Sequence, residues 1–408
     1  MSRSGAPTRF LLFCAGITVV TTAKAMLGPL VPLYAVHLGA SPTTVGVLIS
    51  AAFWLPLLLA LIVGARIDAV GPRAWLLWGT VTLAAAPLLV AAFDQLWSLA
   101  IAQVIIGLAQ LGIVLASQTF VAMLGEGRER MRYYGWYSTF QSGGQLVGPI
   151  LVGLAIDGLG FVAAFALAGV IPALGLAALV PAMAGTARGA PRDVGTAGLH
   201  LRRYPGEANA LLGSVGVQLA MLMSTAIIFA MTFQATFLPV YLDELRYSAT
   251  AIGALFSLRA AASMLVRPFM NRIVDAHGNR SRTMVSMTMV LALSIGAVGF
   301  FDVYVALAIA VAFTGMGSGV SQPLSLVAVA DHTPPSRRGF AIGLRLTGNR
   351  LAQVASPILL GFLVEAAGFQ VTFTVAGAVL LLTALGIVRR AQAFETAERA
   401  LAPSPNAP

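Results

Sequence analysis

Long apolar runs, separated by short polar segments, make up most of this chain of 408 residues. Each run is about 20 residues long, enough for an α-helix to cross a hydrocarbon layer about 30 Å thick. Lipid offers no hydrogen bonds to peptide groups, so we expect every run to be a helix. We predict twelve spans, at about 10–33, 43–63, 74–93, 96–118, 134–156, 161–183, 210–240, 249–270, 283–301, 304–329, 340–363 and 369–389.

The composition agrees with a chain solvated largely by lipid. Charged residues make up 10% of the chain and hydrophobic residues 58%, whereas about a quarter of a soluble protein is charged. The net charge of +10 lies mostly in the short loops, so we expect no nucleic-acid partner. The chain has a single Cys, and its four His all lie outside the spans, so we predict no metal site. Because no nucleotide-binding or hydrolytic motif is present, we expect no cofactor and no enzyme activity.

The arginines predict the orientation of the spans. Twenty of them fall on one side, and only Arg246 falls in a loop on the other. Positively charged loops stay in the cytoplasm, so we predict that both termini are cytoplasmic. The preference for Arg over Lys, together with abundant Ala, is typical of a bacterium with a GC-rich genome. We therefore expect a multi-pass protein of the bacterial cell (inner) membrane.

The second half of the chain repeats the first. Gly46 returns 207 residues later as Gly253, and Pro149 returns after 208 residues as Pro357. The predicted fold class is therefore an all-α membrane protein, with twelve transmembrane helices in two pseudo-symmetric six-helix bundles. The predicted divisions are a first bundle, a cytoplasmic linker, a second bundle and a cytoplasmic tail, at 1–183, 184–208, 209–390 and 391–408.

A charged turn between the second and third spans, Gly64–Arg73, also has a copy, at Asn271–Arg280. Carboxylates at helix ends can accept hydrogen bonds from exposed amides and from arginines. If such bonds form in one conformation and break in another, they bias a two-state equilibrium. The predicted conformational switch consists of Gly64, Asp68, Gly71, Arg73, Asp275, Gly278 and Arg280.

On these residues the chain resembles the major facilitator superfamily, over about residues 10–390. Gly64, Asp68, Gly71 and Arg73 match the superfamily's signature between its second and third helices. The fifth span is similar to its antiporter signature, on Gly144, Gly148, Pro149 and Gly153. Small residues let helices approach closely, and proline bends a helix. The resemblance implies a secondary transporter that works by alternating access.

Four cations fall inside the predicted spans, namely Lys24, Arg259, Arg345 and Arg350, and none of the 15 acids does. A charge in the membrane costs about 2.5 kcal/mol or more and normally faces a cavity or a partner. Polar residues with helical spacing support a cavity: Tyr137, Gln141 and Gln145 form one stripe, and a second lies in the eleventh span. The predicted substrate cavity consists of Lys24, Arg259, Arg345, Asn349, Gln353, Tyr137, Gln141 and Gln110.

We therefore predict a secondary active transporter, a monomer, that moves an anionic or partly anionic small organic solute and is surrounded by membrane lipid. Two alternatives stay open. The antiporter-like signature of the fifth span suggests a multidrug efflux antiporter. A lipid or lysolipid flippase would use the same cations to hold a headgroup phosphate. A sensor that transports nothing is disfavoured, because the charged turn is present in both halves.

Overall fold

The computed structural model of the protein describes residues 6–124, 127–184, 215–331, 333 and 338–401, and in these ranges the regular structure is helical. A short 3₁₀ turn, Arg267–Phe269, joins the seventh helix to the eighth. The helices are α1 (Ala6–His37), α2 (Pro42–Val70), α3 (Pro72–Ala92), α4 (Leu96–Ala122), α5 (Gly127–Ala182), α6 (Val215–Glu244), α7 (Ala249–Val266), α8 (Met270–Ala276), α9 (Arg280–Val298), α10 (Tyr304–Asp331) and α11 (Arg338–Leu401).

The two longest helices each contain two predicted spans. α5 turns at Gly160 and α11 turns at Gly368, where φ is 82° and 79°. Glycine adopts positive φ without steric cost, so the chain can turn between two spans at these points. Among the described residues, nine helical segments are long and apolar enough to cross a membrane, and 282–298 is a shorter apolar helix. The all-α membrane class is confirmed, while the number twelve stays a prediction.

The prediction of a charged turn over all of Gly64–Arg73 was wrong. α2 continues to Val70, so Asp68 lies in its last turn, and only Gly71, with φ of 95°, redirects the chain into α3. No helix-breaking residue precedes the Gly71-Pro72 pair except Gly64, and an isolated glycine is tolerated in a helix. The copy behaves alike, since α8 covers Asn271–Ala276 and the chain turns at Gly278.

Other predicted boundaries also move outward. α4 ends four residues beyond 118, and α5 begins seven residues before 134. Polar residues at a helix end stay hydrated outside lipid, so a helix can continue past its apolar segment. α11 likewise continues to Leu401, into the predicted tail. The predicted linker, apart from residue 184, lies outside the described residues.

The residues with positive φ follow the sequence repeat. In the described chain they are Gly39 and Arg246, Gly71 and Gly278, and Gly160 and Gly368. The members of each pair are 207 or 208 residues apart, the offsets of the repeat. Each half therefore turns at equivalent positions, although Arg246 occupies a conformation that normally favours glycine.

Contacts between Cα atoms divide the chain into two compact units. The first comprises 1–198, 235–260 and 357–362, so it joins α1–α5 to the end of α6, the first part of α7 and a short piece of α11. The second comprises 199–234, 261–356 and 363–408. This division by contacts does not test the predicted division into two six-helix bundles, which stays a prediction.

Within the first unit, two glycines of α5 lie directly against the backbone of α1. A Cβ atom added to Gly144 would lie 2.6 Å from the carbonyl oxygen of Thr18. One added to Gly148 would meet the carbonyl oxygen of Thr22 and would lie 2.7 Å from Cβ of Ala25. Any side chain at these two positions therefore pushes the helices apart.

We predict that Gly148→Ala lowers the stability of the protein, whereas Gly143→Ala does not. The first substitution overpacks the α1–α5 contact, at a cost of about 1–3 kcal/mol. The second adds a methyl group where no atom lies within 4 Å. The two variants are compared by thermal unfolding in detergent, which is measured as the loss of the monodisperse peak in size-exclusion chromatography. Equal melting temperatures would contradict the close packing.

Candidate substrate site

A cavity in the first unit lies between α1, α4 and α5. About 340 Å³ of space there, including its open mouth, is not filled by protein atoms. The cavity brings together four of the predicted site residues, one or more from each of the three helices. Its polar lining consists of Thr21, Lys24, Gln110, Ser117, Tyr137, Gln141 and Gln145, and its apolar lining of Ile17, Val20, Ile113 and Val114.

Lys24 reaches the cavity from the interior of α1. Ile17, Thr21 and Lys24 are four and three residues apart, so they lie on one face of the helix. Lys24 is 13 residues from the end of α1 at His37, which corresponds to about 20 Å of helix. Its side chain is exposed all the same. The ammonium group is therefore solvated through the cavity rather than by reaching the end of the helix.

α5 and α4 supply the hydrogen-bonding wall. Tyr137 and Gln141 are one turn apart, with 3.5 Å between the amide nitrogen of Gln141 and the phenol oxygen. The ring of Tyr137 stacks on Phe13 of α1, with 6.1 Å between the ring centres. Amide and hydroxyl groups both donate and accept hydrogen bonds, so this wall can bind polar groups of either kind.

The site prediction missed three polar residues of the lining, Thr21, Ser117 and Gln145. Gln145 belonged to the predicted stripe of α5 but was left out of the predicted cavity. Ser117 lies seven residues after Gln110 on one face of α4, so helical spacing could have found it as well. Thr21 gave a weaker signal, because the hydroxyl groups of Ser and Thr in helices commonly bond to the preceding turn of backbone, as that of Thr22 does to Thr18.

Arg259 belongs to the first unit but is not one of the residues that line this cavity. Its guanidinium carbon lies 5.5 Å from the centre of the Phe256 ring, one turn earlier on α7. A cation over an aromatic face is stabilised by about 0.5–2 kcal/mol. Its buried Nε has no hydrogen-bond partner among the described residues. Arg259 therefore keeps a charged donor available.

The remaining predicted cavity residues lie in the second unit, on α11. Arg345 is 9% exposed, and its Nη2 donates to the hydroxyl of Ser325 on α10, at 2.9 Å. Asn349 is 7% exposed, and its side-chain oxygen accepts from Ser224 of α6, at 2.8 Å. The predicted polar stripe of α11 thus connects three helices of this unit.

Gln353, the third residue of that stripe, makes a local contact instead. The guanidinium of Arg350 donates to its side-chain oxygen, at 2.9 Å. Arg350 therefore packs along its own helix, as a structural brace would.

Comparison with known proteins identifies the family. A family model described as Major Facilitator Superfamily matches residues 13–221 and 220–405. The chain belongs to the Major Facilitator Superfamily. Since nine of its described helical segments can cross a membrane, this superfamily member is a multi-pass membrane protein.

Curated relatives of this superfamily member match over a shorter stretch. It is 34% identical to the Multi-drug resistance efflux pump PmrA homolog of Lactococcus lactis over a stretch of 154 residues. This stretch covers 36% of this chain and 37% of that protein. It is 29% identical to the Vesicular acetylcholine transporter of Rattus norvegicus over a stretch of 155 residues. This stretch covers 38% of this chain and 29% of that protein. The matches thus span about a third of the length of these relatives.

Solved structures match the superfamily member over nearly its whole length. A peptide transporter POT in complex with sulfate has a TM-score of 0.76 at 15% identity and covers 94% of both chains. The nucleoside transporter NupG has a TM-score of 0.74 at 13% identity and covers 93% of this chain and 99% of that one. At these identities the likeness shows the fold alone.

The predicted switch residues of this superfamily member lie at helix ends. The side chains of Asp68 and Asp275 are exposed. Gly71 and Gly278 provide the turns that follow them, with φ of 95° and 79°. Their role as a switch stays a prediction.

The signature residues of the fifth span lie on α5 and contact two different helices. Gly144 and Gly148 lie against α1, whereas Pro149 and Gly153 contact α7. A Cβ added to Gly153 would be 2.7 Å from Cα of Thr250. The motif therefore shapes two helix contacts in the first unit.

We predict that Arg345→Met and Ser325→Ala affect stability non-additively. A hydrogen bond to a charged group contributes about 1.5–3 kcal/mol, and each single variant removes the same bond. A double-mutant cycle on unfolding in detergent should therefore give a coupling of this size. Thr347→Ala is the control partner, since the exposed hydroxyl of Thr347 bonds within its own helix. Additive effects for Arg345→Met with Ser325→Ala would contradict the contact.

Proposed function

We propose that this protein is a secondary active transporter that works by alternating access and moves an anionic or partly anionic organic solute. The observation that carries the proposal is the position of Lys24. This residue lies in the middle of α1, and its exposed side chain lines a polar cavity. The described residues that line this cavity include no Asp or Glu. The charge of a bound anion would be matched by the ammonium group.

The cost of a membrane charge favours this cargo. An ammonium group inside a bilayer needs water, a counter-ion or polar partners. The three glutamines and Tyr137 beside Lys24 supply neutral hydrogen bonds, which bind the uncharged polar parts of a solute. Arg259, whose buried Nε has no partner among the described residues, is a second cation that a negative group could approach as the protein changes conformation.

The proposal includes a place in the cell. The bias of arginines to one side of the spans supports insertion in a bacterial inner membrane with both termini in the cytoplasm. We propose a monomer as the working unit, with lipid as its surroundings. The conformational switch at Gly64–Arg73 and its copy is part of the same proposal.

The test compares Lys24→Gln with Lys24→Arg. A panel of carboxylates, phosphate esters, cationic drugs and lysolipids is screened by the rise in melting temperature of the purified protein, which measures binding. For an anionic solute that stabilises the wild type, Lys24→Gln should weaken binding about 10- to 150-fold, since a charge-assisted hydrogen bond is lost. Lys24→Arg should keep most of the affinity, and uptake into proteoliposomes should follow the same order.

Arg132→Gln is the matched control, because this exposed arginine of α5 lies over the ring of Tyr133, with 5.8 Å to its centre, and does not line the cavity. It should leave affinity and uptake unchanged. Unchanged binding and uptake in Lys24→Gln would refute an anion-binding role for Lys24.

Drug efflux is the second candidate, and the similarity to the efflux pump homologue of Lactococcus lactis favours it. In that case cationic or neutral drugs from the panel should stabilise the protein, and Lys24→Gln should not weaken their binding. Cells that express the protein should then survive higher concentrations of those drugs. The two candidates thus differ in how their ligands respond to one substitution.

A further inference from the structure

The carboxylate of Asp157, in α5, binds the N-terminus of α7. Its Oδ1 accepts from the amide of Ala249, at 3.0 Å, and its Oδ2 accepts from the amide of Thr250, at 2.8 Å. These are the first two amides of α7, and they have no partners within their own helix. A negative charge at this end is also favoured by the helix dipole. Asp157 thus joins two helices through residues that are 92 positions apart in the chain.

Asp157 is the last of three contacts along one face of α5. Pro149, Gly153 and Asp157 are spaced four residues apart. A Cβ added to Gly253 of α7 would meet the carbonyl of Pro149, and one added to Gly153 would lie 2.7 Å from Cα of Thr250. The backbones of α5 and α7 are therefore in contact over two turns. We call this contact the α5–α7 seam.

The repeat provides an internal comparison for the glycine contacts. In the first unit, Gly46 of α2 approaches the carbonyl of Pro357 just as Gly253 approaches that of Pro149. A Cβ on Gly361, the copy of Gly153, would lie 2.7 Å from the carbonyl oxygen of Pro42. The seam thus has a symmetric counterpart between α2 and α11.

The hydrogen bond from Ala249 to Asp157 breaks this symmetry. α2 and α7 both begin after a serine whose hydroxyl accepts from the third amide, Thr44 to Ser41 at 3.4 Å and Ala251 to Ser248 at 3.2 Å. The first helical residue, however, is Pro42 in α2 and Ala249 in α7. Proline has no amide hydrogen. The donor that binds Oδ1 of Asp157 therefore has no equivalent in α2.

We propose that Asp157 is a latch, whose two hydrogen bonds hold the α5–α7 seam closed and must break before this end of the two helices can separate. The proposal rests on the alternating access proposed above. The glycine contacts are van der Waals contacts, which only need matching surfaces, whereas the carboxylate requires both amides at hydrogen-bond distance. On the predicted topology this end faces outward, opposite the predicted switch at Gly64–Arg73.

The test measures how often the seam opens. Ser257 lies on α7 one turn after Gly253, on the same helix face, and is 2% exposed, so we expect Ser257→Cys to be modified faster when the seam opens. The one native cysteine, Cys14, is replaced by Ala. In nanodiscs without added solute, the rate of maleimide modification is proportional to the open population. Asp157→Asn should raise this rate about tenfold, because a charge-assisted contact is replaced by a neutral one.

Ala249→Pro tests the same bond from its other side. It removes one donor and keeps the carboxylate, and proline is compatible with the first position of a helix, as Pro42 shows. The rate should rise by a smaller factor than in Asp157→Asn. The two substitutions together should raise it by less than the product of their separate factors, because both act on one contact. Asp243→Asn, at an exposed carboxylate near the end of α6, is the control and should leave the rate unchanged.

Wild-type rates in both Asp157→Asn and Ala249→Pro would overturn the latch, and if Asp157→Asn fails to fold, Ala249→Pro decides. A rate that rises with Asp157→Asn alone, but not with Ala249→Pro, would also overturn it, since the amide would then be irrelevant. The modification rate is measured without any solute. If the rate rises in the two variants but the protein binds no anion, the latch is supported and the proposed anionic cargo is refuted.

Discussion

Lipid cannot hydrogen-bond a peptide group, and the architecture of this protein follows from that constraint. The described chain crosses the apolar layer as helices and turns where a residue adopts positive φ or where a proline begins the next helix. Because the backbone is satisfied within each helix, contacts between helices depend on shape. Gly148 against Thr22, and Gly253 against Pro149, are contacts in which one backbone touches another. A single methyl group at such a point separates two helices.

Because lipid is also a poor solvent for ions, the few charged residues within the spans need polar surroundings. Lys24 is exposed in a cavity with glutamine side chains, Arg259 lies over an aromatic ring, and Arg345 donates to a serine. Each keeps a positive charge where an anionic solute would be attracted, which links the energetics of the fold to the proposed cargo. Asp157 uses a negative charge differently, since it binds the positive end of a helix.

Helical spacing predicted which long polar side chains share one face of a helix. Lys24, Gln110, Tyr137 and Gln141 line one cavity because each lies on a face fixed by the helical repeat. Spacing could not place Arg345 and Asn349, whose partners Ser325 and Ser224 come from other helices. The ends of α2 and α8 were misjudged for another reason, because charged residues are compatible with a helix that continues beyond lipid.

By itself, the sequence determined the class of the protein, its repeat and the location of its rare charges, because apolar run length and residue identity are properties of the chain alone. The structure then showed three pairs of turns at equivalent positions of that repeat. Only the tertiary structure decided which charges have partners. Asp157 looked like one more acid between two spans, and its contact with α7 depends on how closely Gly153 and Gly253 allow two backbones to approach. That approach is a property of packed surfaces, which no periodicity in a single helix encodes.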